Sequence, residues 1–192
     1  RFVALLVCNN KVCADCVTVS GRGELEEIYY TEYGQQHQDW LDFFTAEYFR
    51  PAPQIFRISV NTPDEIKEEI LQSFCIFLSD PSAAGNRVRT CVEKILNHQN
   101  VIKTKTHKSK RKKLTLHARI KEFEKKNSDL GENLLAIKWL GNAASHSSGL
   151  NVDDIFDAYE ILHHVLSEIY DNRSKRIKSL TKNINRKKGR LS

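Results

Sequence analysis

Amphipathic helical patterning dominates the chain from residue 62 to residue 171 and limits the possible folds more than any other feature. The stretch NTPDEIKEEILQSFCIF places Thr62 as the expected N-cap, Pro63 at the first helical position and Glu65 three residues after the cap. This arrangement is a capping box followed by a helix. Apolar residues then recur at helical spacing, at Ile66, Ile70, Phe74 and Phe77.

Four further segments carry the same pattern. We expect the second helix to begin at Asp80 and Pro81, the fourth to run from about Leu130 to His146 and the fifth to start after Asn151. The apolar positions of the four are Val88, Val92 and Ile95; Leu116, Ile120 and Phe123; Leu134, Ile137 and Trp139; and Ile155, Tyr159, Leu162, Leu166 and Ile169. Five amphipathic helices joined by short loops predict a mainly α fold, a helical bundle.

The residues before the helices predict a small β element. FVALLVC and CVTVSG are apolar or β-branched runs joined by a polar turn, and ELEEIYY is a candidate third strand. DWLDFFTAEYF is interpreted as a short helix or an aromatic arm, and RPAPQIF as an extended connector. The predicted organisation is a β element over 1–33, an aromatic and proline-containing connector over 34–62, a bundle over 63–172 and a disordered basic tail over 173–192.

The composition, 40% hydrophobic and 28% charged, is typical of a soluble globular domain. No run approaches the roughly 18 apolar residues that a membrane span needs, and the opening RFVALLVCNN is too short for a secretory signal. The odd count of five cysteines then indicates reduced thiols, so we expect a cytoplasmic protein. The chain begins at Arg1 without any methionine, and we expect upstream sequence to be missing.

The net charge of +6 conceals a marked asymmetry. Segment 103–113 holds seven Lys or Arg residues and segment 173–190 holds nine, with no acid in either; elsewhere fourteen basic residues face twenty-four acidic ones. Clustered cations bind polyanions because they release counterions from a phosphate backbone. The alternative is a solvated loop and an unstructured tail that aid solubility. The candidate nucleic-acid-binding residues are Lys103, Lys105, Lys108, Lys110, Arg111, Lys112, Lys113, Arg186, Lys187 and Lys188.

Three cysteines suggest a metal site. Cys8, Cys13 and Cys16 form a C-x4-C-x2-C pattern across the turn between two predicted strands, as in a zinc knuckle. Thiolates at these spacings can share one tetrahedral ion, with His37 or an upstream residue as a conceivable fourth ligand. A structural zinc ion is therefore the one cofactor considered, and the alternative is a metal-free turn.

The stretch KWLGNAASHSSG contains the candidate catalytic residues. Asn142 and His146 are four residues apart and share one face of a helix. A histidine can move protons to and from an RNA 2′-hydroxyl near neutral pH without a metal. The alternative is that His146 and the following Gly149 only close the helix. Upstream, Arg89 and Glu93 have the i, i+4 spacing of a surface ion pair.

Five stretches resemble a known family when they are taken in order: CVTVSGRG, FRPAP, PDEIKEEILQSF, NRVRTCVEKIL and LLAIKWLGNAASHSSG. They resemble a bacterial family called domain of unknown function 4145, over residues 1 to about 170 and most clearly over 63–149. The resemblance implies a bundle related to the HEPN (higher eukaryotes and prokaryotes nucleotide-binding) superfamily. Members occur alone or attached to restriction and other anti-phage proteins.

The same resemblance bears on catalysis. Active HEPN ribonucleases place an Arg-Asn-x-x-x-His motif from each protomer of a dimer around the scissile RNA phosphate. Asn142 and His146 match this motif, but its Arg position falls on Gly141, and Lys138 is the nearest cation one helical turn back. Loss of that guanidinium removes a group that would bind phosphate and stabilise developing charge.

These observations lead to one expected function and two alternatives. We expect a non-catalytic or weakly catalytic binding module that contacts nucleic acid, RNA in preference to DNA. We expect it to act as a homodimer in a bacterial defence or restriction context, with a protein partner there. The first alternative is a metal-independent endoribonuclease in which His146 is general acid or base and Asn142 positions it. The second is a protein-interaction domain that binds no nucleic acid.

Overall fold

The computed structural model describes residues 1–107, 110–143 and 149–190. In this part of the chain the elements are β1 (Phe2–Val7), β2 (Cys16–Glu32), β3 (Gln35–Arg50), α1 (Asp64–Ile76), α2 (Pro81–His98), β4 (Thr104–His107), β5 (Lys110–Lys113), α3 (Leu116–Glu124), α4 (Ser128–Ala143), α5 (Val152–Asp171) and α6 (Arg173–Lys187). The prediction of a mainly helical fold with an N-terminal antiparallel β element is confirmed. None of the helices in these ranges is both long enough and apolar enough to cross a membrane.

Helices α1 to α5 pack around one apolar core. Most of the predicted apolar positions are fully buried there, including Ile66 and Ile70 of α1 and Leu162 and Leu166 of α5. A polar contact joins three helices inside this core. The Ser73 hydroxyl donates to the Ala84 carbonyl oxygen at 3.0 Å and lies 2.7 Å from the Tyr159 hydroxyl. These buried groups therefore satisfy one another, as polar groups in a core must.

The helix starts agree with the sequence in two cases and differ in a third. Asp80 caps α2 by accepting a hydrogen bond from the Ala83 N–H at 2.8 Å, and Asn151 forms a capping box at the start of α5. The capping box predicted at Thr62 is wrong. Pro63 is extended (φ −57°, ψ 142°), so α1 begins one residue later than expected, and no side chain caps it.

The N-terminal sheet has the order β1-β2-β3, with every pair antiparallel. Residues 35–50, expected to lie in an irregular connector, form the full-length strand β3. ELEEIYY continues β2 instead of forming a separate strand. Tyr33 and Gly34 link β2 to β3 with φ values of 48° and 80°, the left-handed pair that a two-residue hairpin turn requires. Antiparallel pairing with β2 therefore makes the aromatic segment a strand.

The tail also differs from its prediction as a disordered segment. Residues 173–187 form helix α6, none of whose residues is buried. The Glu168 carboxylate at the end of α5 accepts hydrogen bonds from the Ser174 N–H at 3.2 Å and its hydroxyl at 2.9 Å. An acid at a helix N-terminus stabilises the first turn. Apolar residues on α6 keep helical spacing at Ile177, Leu180 and Ile184.

An ion-pair cluster fixes α1 against α2. The Glu69 carboxylate, 12% exposed, lies 2.9 Å from Lys94 Nζ and 3.0 Å from an Arg87 guanidinium nitrogen. Burial alone would raise the pKa of Glu69, but the hydrogen bonds from Lys94 and Arg87 outweigh burial and lower this pKa. A lowered pKa means that the folded state favours the ionised carboxylate.

This cluster predicts how stability depends on pH. The pKa of Glu69 is lower in the folded state than in the unfolded state. The ionised carboxylate therefore stabilises the fold at pH values above the unfolded pKa of 4.5, and this stabilisation is lost as the pH falls through the folded pKa. Glu69→Gln should cost about 1–3 kcal/mol of unfolding free energy at neutral pH. The deficit should shrink when urea denaturation is repeated at progressively lower pH. The exposed Glu68→Gln serves as control, and a Glu69→Gln deficit independent of pH would contradict the assignment.

Candidate nucleic-acid interface

The basic segment after α2 is a β-hairpin and not the loop that its composition predicts. Strands β4 and β5 pair antiparallel, with Thr104 opposite Lys113 and Lys105 opposite Lys112. The chain enters from α2 and leaves into α3, and the Leu114 N–H donates to the Lys103 carbonyl oxygen at 2.9 Å. The hairpin therefore stands on the junction of α2 and α3. Lys108 lies outside the described residues.

Few acidic side chains neutralise the cations of the hairpin. All of the described Lys and Arg side chains from Lys103 to Lys113 are exposed. Among the residues whose positions are described, Lys105 is the one hairpin cation in an ion pair, 3.6 Å from Glu122. Lys105 and Lys112 are direct cross-strand neighbours, and like charges in such positions are destabilising by roughly 0.2–1 kcal/mol. A polyanion bound on the hairpin would relieve this repulsion.

A pocket of about 460 Å³ opens at the base of the hairpin. Its lining comes from α2, both ends of the hairpin and the first turn of α3. Among the lining side chains that the structure describes, four are cationic and one is acidic: Arg89, Lys103, Lys113 and Arg119 against Glu93. Glu93 pairs with Arg89 at 3.4 Å, the i, i+4 contact expected from the sequence. The lining therefore carries an excess of three positive charges.

The N-terminus of α3 adds to this positive potential. Thr115 caps the helix by accepting a hydrogen bond from the Ala118 N–H at 3.2 Å, and Thr115 and Leu116 both line the pocket. The first N–H groups of a helix have no partner inside the helix, and they carry the positive end of its dipole. The first residues of α3 and two arginines thus line the same concavity.

Arg119 is the most deeply placed cation of the pocket. Its side chain lies on the buried face of α3 and the residue is only 8% exposed. Nη2 donates to the side-chain Oδ1 of Asn97 at 2.9 Å and to the Val101 backbone oxygen at 3.3 Å. Within the described ranges, Nε has no hydrogen-bond partner. Burial lowers the pKa of Arg119, and the negative charge of Glu93 opposes that shift.

Arg89 connects the pocket to the predicted catalytic stretch. A Cβ atom added to Gly141 would lie 2.7 Å from Arg89 Cβ, so the aliphatic stem of Arg89 packs directly on this glycine. Arg89 Nε is buried and has no hydrogen-bond partner in the part of the chain that the structure describes. The Arg89 side chain of α2 thus lies beside Gly141, the position on which the motif arginine of the resemblance falls.

The structure describes only part of the predicted catalytic stretch. Helix α4 ends at Ala143, with Asn142 half-buried in its last turn, and His146 lies outside the described residues. Lys138 is 8% exposed, and its Nζ lies 3.2 Å from the ring centroid of Trp139. Burial and the neighbouring Arg89 charge lower the pKa of Lys138. The prediction that Trp139 faces the core is wrong, because this side chain is 57% exposed.

The three N-terminal cysteines lie together at the β1–β2 turn, as free and exposed thiols. The Cys8 N–H donates to the Asp15 carbonyl oxygen at 2.9 Å, and Cys13 Sγ donates to the Asp15 carboxylate at 3.2 Å. A hydrogen bond involving the Asp15 backbone favours the Cys13 thiolate, but the Asp15 carboxylate and the Cys8 thiol outweigh it, and the pKa of Cys13 is raised.

Among the described residues, this turn does not provide a complete set of zinc ligands. In the described part of the chain, no group of three or more His, Cys, Asp or Glu side chains is arranged to hold a metal. His37 is wrong as a fourth ligand. It pairs with Tyr30 at the far end of the ribbon, fourteen residues along β2 from Cys16, a distance of about 46 Å at the usual rise per strand residue.

The two predicted basic regions do not share the pocket at the base of the hairpin. Its lining includes Lys103 and Lys113 but no described residue of the tail. Arg186 and Lys187 lie in the last turn of α6, and Lys188 follows as its left-handed C-cap, with φ of 51°.

Sequence reasoning missed Arg119 and the α3 N-terminus as parts of the site. One signal was available: Arg119 interrupts the apolar stripe Leu116, Ile120, Phe123 at a position that helical spacing turns toward the core. A charged residue on a buried helix face requires a partner.

Two family models match the chain. A model described as "Domain of unknown function (DUF4145)" matches residues 72–188, and one described as "Domain of unknown function (DUF8608)" matches residues 1–49. The second match coincides with strands β1 to β3, so the expected resemblance to domain of unknown function 4145 before residue 72 is not supported. No curated protein and no solved structure matches the chain.

Proposed function

We propose that this chain, which belongs to the family described as "Domain of unknown function (DUF4145)", is a helical module that binds RNA through the β4–β5 hairpin and the pocket beneath it. One observation carries the proposal: a hairpin of exposed cations, with lysines directly opposite each other, stands over a pocket with excess positive charge. This is a surface that a phosphate backbone would stabilise.

The resemblance noted in the sequence extends this proposal. It supports an HEPN-like bundle that acts as a homodimer in bacterial defence, with RNA preferred to DNA because the Asn142 and His146 positions match a ribonuclease motif. Helix α6 would supply a second contact through Arg186, Lys187 and Lys188. Its exposed cations follow one another on a helix that no part of the bundle buries.

Salt dependence tests the proposal. Four phosphate contacts from the β5 cations alone contribute about −2.8 to the slope of log affinity against log salt, so the affinity should fall at least about 50-fold between 50 and 200 mM. Fluorescence anisotropy with a labelled 20-nucleotide RNA, and with DNA of the same sequence as control, measures this slope. If neither probe binds at 50 mM salt, the protein-interaction domain replaces the RNA-binding module.

The contact between Arg89 and Gly141 supports a second candidate, a metal-independent endoribonuclease. The guanidinium that the motif lacks at Gly141 is present nearby on α2, and Asn142 follows on α4. In this candidate His146 takes the proton of the 2′-hydroxyl while that oxygen bonds to the phosphorus, the bond from phosphorus to the 5′-oxygen of the next nucleotide breaks, and water protonates the leaving oxygen. Asn142 positions His146, and Arg89 stabilises charge on the phosphate.

RNA cleavage with EDTA present tests this candidate. His146→Ala should abolish cleavage, and Arg89→Lys should slow it by about 10²-fold or more, because a point charge replaces the planar guanidinium. Binding of RNA by His146→Ala should remain, which separates catalysis from affinity. Intact RNA after incubation with the wild-type protein would contradict the ribonuclease assignment and leave the binding module unaffected.

A further inference from the structure

We propose that the pocket at the base of the hairpin receives the terminal phosphate monoester of a nucleic-acid chain, with Arg119 and the N-terminus of α3 as its floor. This inference rests on the proposed RNA binding and names the group that the site recognises. It predicts that the protein prefers phosphorylated ends to the interior of a strand.

The polar groups of the pocket suit a phosphate. Arg119 lines the pocket and is more than nine-tenths buried, and its Nε is enclosed without a hydrogen-bond partner in the described part of the structure, so this donor gains an acceptor only when a ligand draws the guanidinium toward the pocket. Arg89 Nε is likewise buried and has no hydrogen-bond partner among the described residues. The N–H groups that begin α3 are a second, independent set of donors for an anion. Unpaired buried donors of this kind are costly unless something binds them.

The charge of the pocket favours a monoester over a backbone phosphate. A phosphomonoester carries about −1.5 to −2 charges at neutral pH, whereas a phosphodiester carries one. The four cations of the lining against the single acid Glu93 leave three positive charges to be balanced. A terminal phosphate also has a single ester substituent, so it can enter a concavity that a continuous backbone would only cross.

The size of the pocket agrees with a terminal nucleotide. A volume of about 460 Å³ exceeds what a phosphate alone needs and falls within the range of small-ligand sites. Lys103 and Lys113 stand at the two ends of the hairpin and both line the pocket. Exposed cations farther along the hairpin, Lys110 to Lys112, would contact the next phosphates of the same strand.

Glu93 provides an internal check on this assignment. Its carboxylate pairs with Arg89 and would repel an incoming phosphate. Glu93 is 44% exposed, so Glu93→Gln should leave the fold intact. This variant should bind a terminal phosphate more tightly, by about threefold to tenfold, because it removes a negative charge and releases Arg89. Lys113→Gln, also at an exposed position, should bind it about threefold to tenfold more weakly.

The experiment compares three 8-nucleotide RNAs of one sequence, with a 5′-phosphate, a 3′-phosphate or hydroxyls at both ends. Anisotropy should show at least about tenfold tighter binding of one phosphorylated RNA, which identifies the end that is recognised. Glu93→Gln should widen that preference and Lys113→Gln should narrow it. Equal affinity for all three RNAs, with the steep salt dependence intact, would overturn the terminal-phosphate inference and leave RNA binding in place. Failure of all three to bind at 50 mM salt would overturn both.

Discussion

Replacement of Lys110, Arg111, Lys112 and Lys113 by glutamine should lower the affinity for single-stranded RNA by about 100-fold or more at 50 mM salt. The same variant should flatten the dependence of log affinity on log salt by about 2.8 units, because four phosphate contacts are lost. Both effects follow from the position of these side chains, which are all exposed on one strand above the pocket.

The fold should not suffer from this change. Thermal unfolding should show a variant at least as stable as the wild type, because Lys112 no longer faces Lys105 across the hairpin. The matched control replaces four cations of α6, namely Arg173, Lys175, Lys178 and Lys182, and so removes the same net charge. An equal loss of affinity in this control would show that net charge, and not the hairpin, governs binding.

The second large effect concerns the motif arginine. Gly141→Arg introduces arginine at the position where the resemblance to active HEPN ribonucleases expects one, yet it should destabilise the protein and should not activate it. The Cβ of any side chain at this position lies 2.7 Å from Arg89 Cβ, an approach that the flexible end of a side chain cannot relieve. Overpacking of this kind costs about 1–3 kcal/mol.

A double-mutant cycle isolates the cause. Gly141→Ala already carries the offending Cβ and should show most of the destabilisation in urea denaturation. Arg89→Gly removes the opposing Cβ, so the combination of Arg89→Gly with Gly141→Ala should be less destabilised than the two single changes added together. Additive losses, or a Gly141→Arg variant as stable as the wild type, would contradict the packing of Arg89 on Gly141.

Sequence patterning predicted the helical bundle well because the spacing of the apolar residues matches the positions that are buried. Ile66, Ile70 and Phe74 repeat at helical spacing and are all buried. Asp80 was recognisable as a cap because a short acceptor side chain precedes a proline at the first helical position. Thr62 and Pro63 show the same cap-and-proline pattern, but Pro63 is extended and the helix begins one residue later, so Thr62 does not cap it. The sequence pattern alone does not reveal the conformation of Pro63.

Long-range pairing accounts for what the sequence did not reveal. DWLDFFTAEYF has no strict alternation, yet it pairs with β2 from Val19 to Ile28 and is a strand for that reason. The basic segment gave the correct residues for a candidate site but not their hairpin geometry, since lysine and arginine have no special strand preference. Arg119 and the α3 N-terminus join the site only through the tertiary packing of α2 against α3.

The most direct test of RNA recognition by the hairpin is a footprint of the bound state. Acetylation of lysines by a small amine-reactive ester, read by mass spectrometry with and without RNA, reports which side chains the ligand covers. RNA should protect Lys103, Lys110, Lys112 and Lys113, while Lys175 and Lys178 near the start of α6 should react equally in both states. Protection confined to other lysines, under conditions where anisotropy shows the RNA to be bound, would contradict the hairpin as the binding site.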